Sequence, residues 1–219
     1  MTVLPGPKVQ HPDSCLLQFA KAPIAGQVKT RLQAALGEAG CLALHCALVK
    51  YQFEVARSAA VSNLELWCSA EHHFFHQLIE GSDARLAVQQ GRDLGERMAS
   101  AFADRLKKYN QVIIIGSDCP AIDGEYVDQA LASLKDDVPA VFGPANDGGY
   151  VLVGLNRLNL KLFSDIPWGS GEVMAVTRNR LNSLGWRWEE LPSLADIDRP
   201  EDLGGLSNFA GLHKGLVGF

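Results

Sequence analysis

A carboxylate placed directly after four apolar residues has to be accounted for. In QVIIIGSDCPAI, the run Val112 to Ile115 leads straight into Gly116, Ser117, Asp118, Cys119 and Pro120. An ionised carboxyl beside such a run is costly unless it is solvated, hydrogen-bonded or bound to a cation. Asp118 therefore either caps the helix expected near Asp123, or holds a metal ion or substrate. A second group lies in KAPIAGQVKTRL, where Lys21, Lys29 and Arg31 surround Gly26. Strand, glycine turn, clustered cations and helix together form a recipe for holding phosphate. Backbone N–H groups of the turn and helix N-terminus face the anion, and the cations neutralise it. Neither a P-loop nor a G-x-G-x-x-G dinucleotide fingerprint is present. Cations in a first helical turn oppose the helix dipole, so a nearby anion explains them better than solvation alone.

Three further clusters carry possible chemistry. Asp147-Gly148-Gly149-Tyr150 is either a plain hairpin turn or a bare backbone that a substrate can approach. Asp196, Asp198, Glu201 and Asp202 crowd into eight residues around Pro200. They suit a helix start or a second metal carboxylate from Asp196 or Asp198. Gln90, Arg92 and Arg97 fall at a strand-to-helix junction. His72 and His76 are one helical turn apart but lack an evident third ligand, and Cys119 lacks a nearby histidine to activate it.

The elements that must position these groups follow from hydrophobic periodicity. Strands are expected at Cys15–Ala20, Leu64–Cys68, Arg85–Gln89, Val112–Ile115, Pro139–Gly143, Tyr150–Val153 and Trp186–Leu191. Helices are expected from Thr30 to about Ala60, broken near Gly37 and Gly40, then after Glu71, after Gly95, from Tyr126 to Leu134 and from Glu172 to Leu184. The run Val112–Ile115 reads as a central strand buried on both faces. In open α/β sheets ligands bind outside the carboxyl ends of the strands, which is where Asp118 falls.

Composition excludes several classes of partner. A formal net charge of −5 with no long basic run argues against nucleic acid or an anionic membrane. No apolar run reads as long enough to span a bilayer. Five cysteines, an odd number without CxxC spacing, indicate reduced thiols and a cytoplasmic setting. Residues 1–13 read as a loose N-terminal arm and 14–219 as a single domain.

Taken in order, FAKAPIAGQVKTRL, LGERM, IIIGSDCPAI, FGPANDGGYVLVGL and DIDRPEDL resemble the bacterial radical-SAM/selenodomain-associated transferases, a family of nucleotide-diphospho-sugar transferases with the GT-A fold. The resemblance runs from about Cys15 to Leu203. It implies a three-layer α/β/α domain with a mixed, mostly parallel sheet and a nucleotide-binding amino-terminal half. It also implies kinship with molybdopterin and 2-phospholactate guanylyltransferases. Carried onto this chain, it assigns phosphate contacts to Lys21, Lys29 and Arg31; the expected nucleotide and phosphate set adds Ala20, Gly26, Gln90, Arg97 and Ser117 around them. The resemblance gives the divalent cation, Mg²⁺ or Mn²⁺, to Asp118 and the acceptor or sugar pocket to Asp147, Gly148 and Gly149. The expected site adds Asp198 as a second metal carboxylate and Tyr150 and Trp168 to the substrate pocket. One departure is visible: Trp168-Gly169-Ser170 stands where the family has Trp-Ser-Thr.

The expected activity is glycosyl transfer from a nucleotide-diphospho-sugar to a small-molecule acceptor, with Asp118 and Asp147 catalytic. Asp118 would act through the cation and Asp147 as general base. Nucleotidyl transfer from NTP with release of pyrophosphate is the alternative, and a nucleotide-binding regulator without turnover is the third reading.

Overall fold

A computed structural model of the chain describes residues 11–59, 61–209 and 212. Its elements run β1 (His11–Ala20), α1 (Gln33–Ser58), β2 (Val61–Cys68), α2 (His73–Ile79), β3 (Arg85–Val88), α3 (Leu94–Arg105), β4 (Gln111–Ile115), α4 (Gly124–Ser133), β5 (Ala140–Pro144), β6 (Tyr150–Leu155), α5 (Val173–Ser183) and β7 (Trp188–Glu190). A 3-10 turn at Thr30–Leu32 precedes α1, and a 3-10 helix at Pro200–Asn208 follows β7. Of the expected arm, residues 1–10 lie outside the described residues and His11–Asp13 begin β1.

The seven strands form one sheet in the order β3-β2-β1-β4-β6-β5-β7. Only β6 runs against its neighbours; the β1–β2, β1–β4, β2–β3 and β5–β7 pairs are all parallel. The mixed, mostly parallel sheet of a three-layer α/β fold is thus present. Because β6 alone is reversed, the carboxyl ends of β1, β4 and β5 and the start of β6 share one rim. The Asp118 loop and the Asp147 turn stand together on it.

Alternation along the central strands feeds two cores. Leu16, Ile113 and Ile115 pack with Tyr126, Val127 and Leu131 of α4. Cys15, Leu17, Val112 and Ile114 pack on the opposite face with Met98 and Phe102 of α3 and Met174 and Leu181 of α5. This two-sided burial is why VIII reads as an unbroken apolar run.

One sequence expectation is corrected by α1. Thr30–Ser58 is long and apolar enough, by length and composition, to cross a membrane. Its apolar residues have a place in the core: Val49 and Phe53 pack with Leu66 and Phe75, and Leu44 and Leu48 with Ile197 and Leu206. Gly37, at φ 66° and ψ 174°, breaks the helix where the sequence places a break.

A buried ion pair ties β2 to α3. Glu65 is 1% exposed, and its Oε2 accepts from Arg105 Nε at 2.7 Å and from Trp67 Nε1 at 2.9 Å. The Arg105 guanidinium also lies 5.0 Å from the Trp67 ring centre. Removing one partner of such a pair strands a charge, whereas replacing both can be neutral. Arg105→Met should therefore destabilise by about 3 kcal/mol, and Glu65→Leu/Arg105→Met should recover most of that in denaturant melts. Equal stability of single and double variants would contradict the assignment.

Candidate active site

The rim of the sheet is built from three segments that hold one another. The first is the loop after β1. Ala22 N–H donates to Ser69 Oγ at 2.9 Å, and the Lys21 carbonyl lies 2.9 Å from His45 Nε2 of α1. The loop ends at Lys29, whose backbone is left-handed (φ 50°, ψ 36°) just before the 3-10 turn. A non-glycine residue there stores strain, of the order of 1 kcal/mol or more. The strain turns Lys29 inward: its side chain is 2% exposed, with Nζ 2.8 Å from Asp118 Oδ1, and it donates to the Ile197 carbonyl.

The second segment is the loop after β4. Gly116 N–H donates to the Val151 carbonyl at 3.0 Å. Ser117 Oγ donates to the Phe19 carbonyl at 2.8 Å and accepts from Gln18 Nε2 at 3.0 Å. Asp118 comes next, its side chain 47% exposed. It is not the cap of α4, because Asp123 Oδ1 accepts the Tyr126 N–H at 2.8 Å. The Lys29 contact is a charge pair rather than an aligned hydrogen bond, and Oδ1 is buried without a hydrogen-bond donor. Burial pushes the neighbouring Cys119 thiol up to about 11, so it stays protonated and unreactive near neutral pH.

The third segment, Leu194 to Asp198, straps the other two together. Leu194 N–H donates to the Pro144 carbonyl, and the Leu194 carbonyl accepts from Asn146 N–H, both at 3.0 Å. Ile197 N–H donates to the Asp118 carbonyl at 2.9 Å. Asp198 pairs with Arg31. Asp202 fixes the far end by accepting the backbone N–H groups of Asp198 and Arg199. Asp196 sits among acids: burial, then the charges of Asp147, Asp198 and Asp118, push its carboxyl above the usual range.

These segments enclose a cleft of about 530 Å³. It brings together Ala20, Lys21, Lys29, Arg31, Arg97, Ser117, Asp118 and Asp198 from the sequence-derived set. Lys21 and Arg31 are exposed to solvent, and Arg97 is partly so. His45, Gln89 and Leu94 also line it and were missed. Gln89 and Leu94 flank residues already singled out, but His45 reads as one more position on a helix stripe. Its burial holds its pKa below the ordinary value, favouring the neutral ring.

The remaining expected residues lie elsewhere. Gly26 and Gln90 are exposed outside the cleft. The bare backbone at Gly148 meets the chain's own loop: a Cβ there would come 2.1 Å from the Gly171 carbonyl oxygen, and its φ is +92°. Asp147 Oδ1 accepts the Gly149 N–H at 2.9 Å, closing the turn, while Asp147 itself is exposed. Tyr150 meets Trp168 edge-on at 6.1 Å between ring centres, with its hydroxyl buried and unpaired. Gly148, Tyr150 and Trp168 thus pack against the chain's own residues, and none of them lines the cleft.

Sheet order, reversed β6 and rim cleft define an α/β fold of the nucleotidyltransferase and GT-A type. The chain belongs to the family DUF2064, described as "Uncharacterized protein conserved in bacteria", whose profile matches residues 52–170. A crystal structure from Desulfovibrio desulfuricans G20, described provisionally as a nucleotide-diphospho-sugar transferase, is 31% identical. Its TM-score is 0.82, with 90% of this chain and 88% of that one covered. A CMP:2-keto-3-deoxy-manno-octonic acid synthetase complexed with CTP shares the fold at 12% identity and TM-score 0.60, covering 92% of this chain and 99% of that one. A nucleotidyl transferase from Methanothermobacter thermautotroptrophicus does so at 14% and 0.60, covering 92% and 98%. No curated protein matches the sequence.

Two stability predictions follow from the acids and their partners. Replacing Asp118 by Asn removes the counter-charge of a buried ammonium. Because Asp118 is nearly half exposed, solvent screening reduces the cost to about 1–2 kcal/mol, or roughly 3–6 °C in Tm. Lys29→Met/Asp118→Asn should melt above Asp118→Asn alone; the reverse order would contradict the pair. Asp196 acts in the other direction. Its folded pKa is raised above the unfolded 3.8, so the native state holds the proton more tightly, and stability present below that pH is lost as the pH rises through the raised value. Asp196→Asn should thus melt above wild type at pH 7 and level with it at pH 3.5. A gap independent of pH would contradict the like-charge cluster.

Proposed function

We propose that this protein is a divalent-cation-dependent transferase that takes a nucleotide-diphospho-sugar as donor and transfers the glycosyl group to a small hydroxylated acceptor. The observation that supports it is the cleft that Lys21, Arg31 and Arg97 line together with Asp118 at the rim of the sheet. A diphosphate carries the charge and size that three cations around an acid-bearing loop accommodate. The motif order resembling the radical-SAM/selenodomain-associated transferases points the same way, as does the 31% identical relative described provisionally as a nucleotide-diphospho-sugar transferase.

The residues fit an open Mg²⁺ or Mn²⁺ site. Asp118 Oδ1 faces the Lys29 ammonium at 2.8 Å while its side chain stays 47% exposed, and Asp198 lines the same cleft. Among the described residues no three His, Cys, Asp or Glu side chains form a closed ligand set. Mg²⁺ commonly uses one or two carboxylates and completes its shell with phosphate and water. The chemistry such an ion supplies is stabilisation of the charge that develops on the departing diphosphate.

The chain's own groups do the rest. Lys29 fixes Asp118 from below, and Lys21, Arg31 and Arg97 orient the phosphates. Asp147, exposed on the turn bonded to the strap through Asn146, is the carboxylate available to take the acceptor hydroxyl proton. Nucleotidyl transfer is the second reading, favoured by the strongly basic character of the loop after β1.

Incubation with Mn²⁺ and UDP-, GDP-, CDP- or ADP-sugars should release a nucleoside diphosphate, and the matching diphosphate should raise the Tm. At 100 times its Kd it adds about 2.7 kcal/mol, and EDTA should abolish the shift. Lys21→Ala/Arg31→Ala should weaken this binding about ten-fold or more, as loss of two charge-assisted contacts requires, with little change in ligand-free Tm. Undiminished affinity in that variant would refute the phosphate assignment. Pyrophosphate release from NTP, dependent on a phosphorylated or hydroxylated co-substrate, would replace glycosyl by nucleotidyl transfer.

A further inference from the structure

One buried polar side chain next to the cleft has no part in the chemistry above. In β1 the run Cys15–Ala20 reads CLLQFA, and Gln18 is its one polar residue, fully buried. It lies in register with Leu66 of β2 on one side and Ile115 of β4 on the other. Its Nε2 donates to the Val49 carbonyl of α1 and to Ser117 Oγ, each at 3.0 Å. Its Oε1 is buried with no hydrogen bond. An orphaned buried acceptor destabilises a fold, so an apolar side chain of similar volume would be the stabler occupant. One of its two bonds leads to the residue immediately before Asp118.

We propose that Gln18 is a positioning residue for the Asp118 carboxylate, acting through the Ser117 hydroxyl. The inference rests on the reading of the cleft as a cation and diphosphate site. Past Ile115 the β4 ladder ends, and Ser117 is held through its side chain. The hydroxyl donates to Phe19 and accepts from Gln18, so its orientation is determined at both ends. Val49 anchors the amide to α1, the helix whose His45 meets the Lys21 carbonyl. One seam between α1 and β1 thereby registers the Asp118 loop against the basic loop. Leucine at position 18 would keep the packing and release the hydroxyl. Losing a hydrogen-bond partner of a metal-ligating carboxylate costs about 10–100-fold in metal affinity, and Gln18, which acts one residue further out through Ser117, is expected at the lower end of that range.

The test is Mn²⁺ binding to the full chain, followed by electron paramagnetic resonance, alone and with UDP, GDP, CDP and ADP in turn. Melting curves of every variant accompany it. Gln18→Leu should melt at or above wild type yet bind Mn²⁺ with nucleotide about ten-fold more weakly or worse. Ser117→Ala should weaken it too. Gln18→Leu/Ser117→Ala should be no weaker than the worse single variant, because both act through one bond. Gln52→Leu, which removes another fully buried amide of α1 with no bond to this loop, should leave Mn²⁺ affinity unchanged. Wild-type affinity in a folded Gln18→Leu variant overturns the proposal. Should that variant not fold, Gln18→Met replaces it, and wild-type affinity in Ser117→Ala overturns the proposal by itself. A wild-type chain that takes Mn²⁺ with none of the nucleotides removes the reading of the cleft, whereas wild-type binding with an indifferent Gln18→Leu removes this inference alone.

Discussion

An ammonium group withdrawn from water must find a counter-charge and hydrogen-bond acceptors, or lose its proton. In this protein that requirement falls on Lys29, whose side chain is almost wholly buried against Asp118 and the Ile197 carbonyl. Its left-handed backbone shows that the loop is bent to deliver it there. Asp118 and Ile197 are themselves joined through the backbone. One buried cation therefore gathers the loop after β1, the loop after β4 and the strap before Pro200 onto one rim. The cleft exists because these three segments cannot separate without exposing that charge or stranding it.

This arrangement divides the cations by task. Lys29 faces inward and serves the acid; Lys21, Arg31 and Arg97 face the cleft and are available to a ligand. Arg31 already pairs with Asp198, so an incoming diphosphate and a divalent cation would each take over half of an existing ion pair. A ligand carrying both charges meets both demands together, which favours a metal–diphosphate over either component alone. The acids clustered around Asp196 repel one another: burial, then the charges of Asp147, Asp198 and Asp118, hold its carboxyl above the usual range.

Much of the fold was legible from local pattern. The β-branched run of β4 announced a strand buried on both faces, and Gly37 marked the break in α1. Asp118 was conspicuous because a carboxylate after VIII needs a reason. What could not be read are contacts between residues far apart in the chain. Lys29 meets Ile197 across 168 positions, and no periodicity records that it turns inward rather than toward phosphate. The glycines of the Asp147 turn look open to a substrate in sequence, yet Gly148 is needed for close packing against Gly171.

The most direct measurement of the central claim is a crystal structure with Mn²⁺ and the nucleoside diphosphate that stabilises the protein best, recorded at the manganese absorption edge. The account predicts an anomalous peak within coordination distance of Asp118, about 2.0–2.3 Å for a hard divalent cation. Diphosphate oxygens should complete the shell, with Lys21 and Arg31 on the phosphates and Lys29 still on Asp118. A nucleotide bound away from the rim of β1 and β4, or a manganese peak that does not touch Asp118, would contradict it.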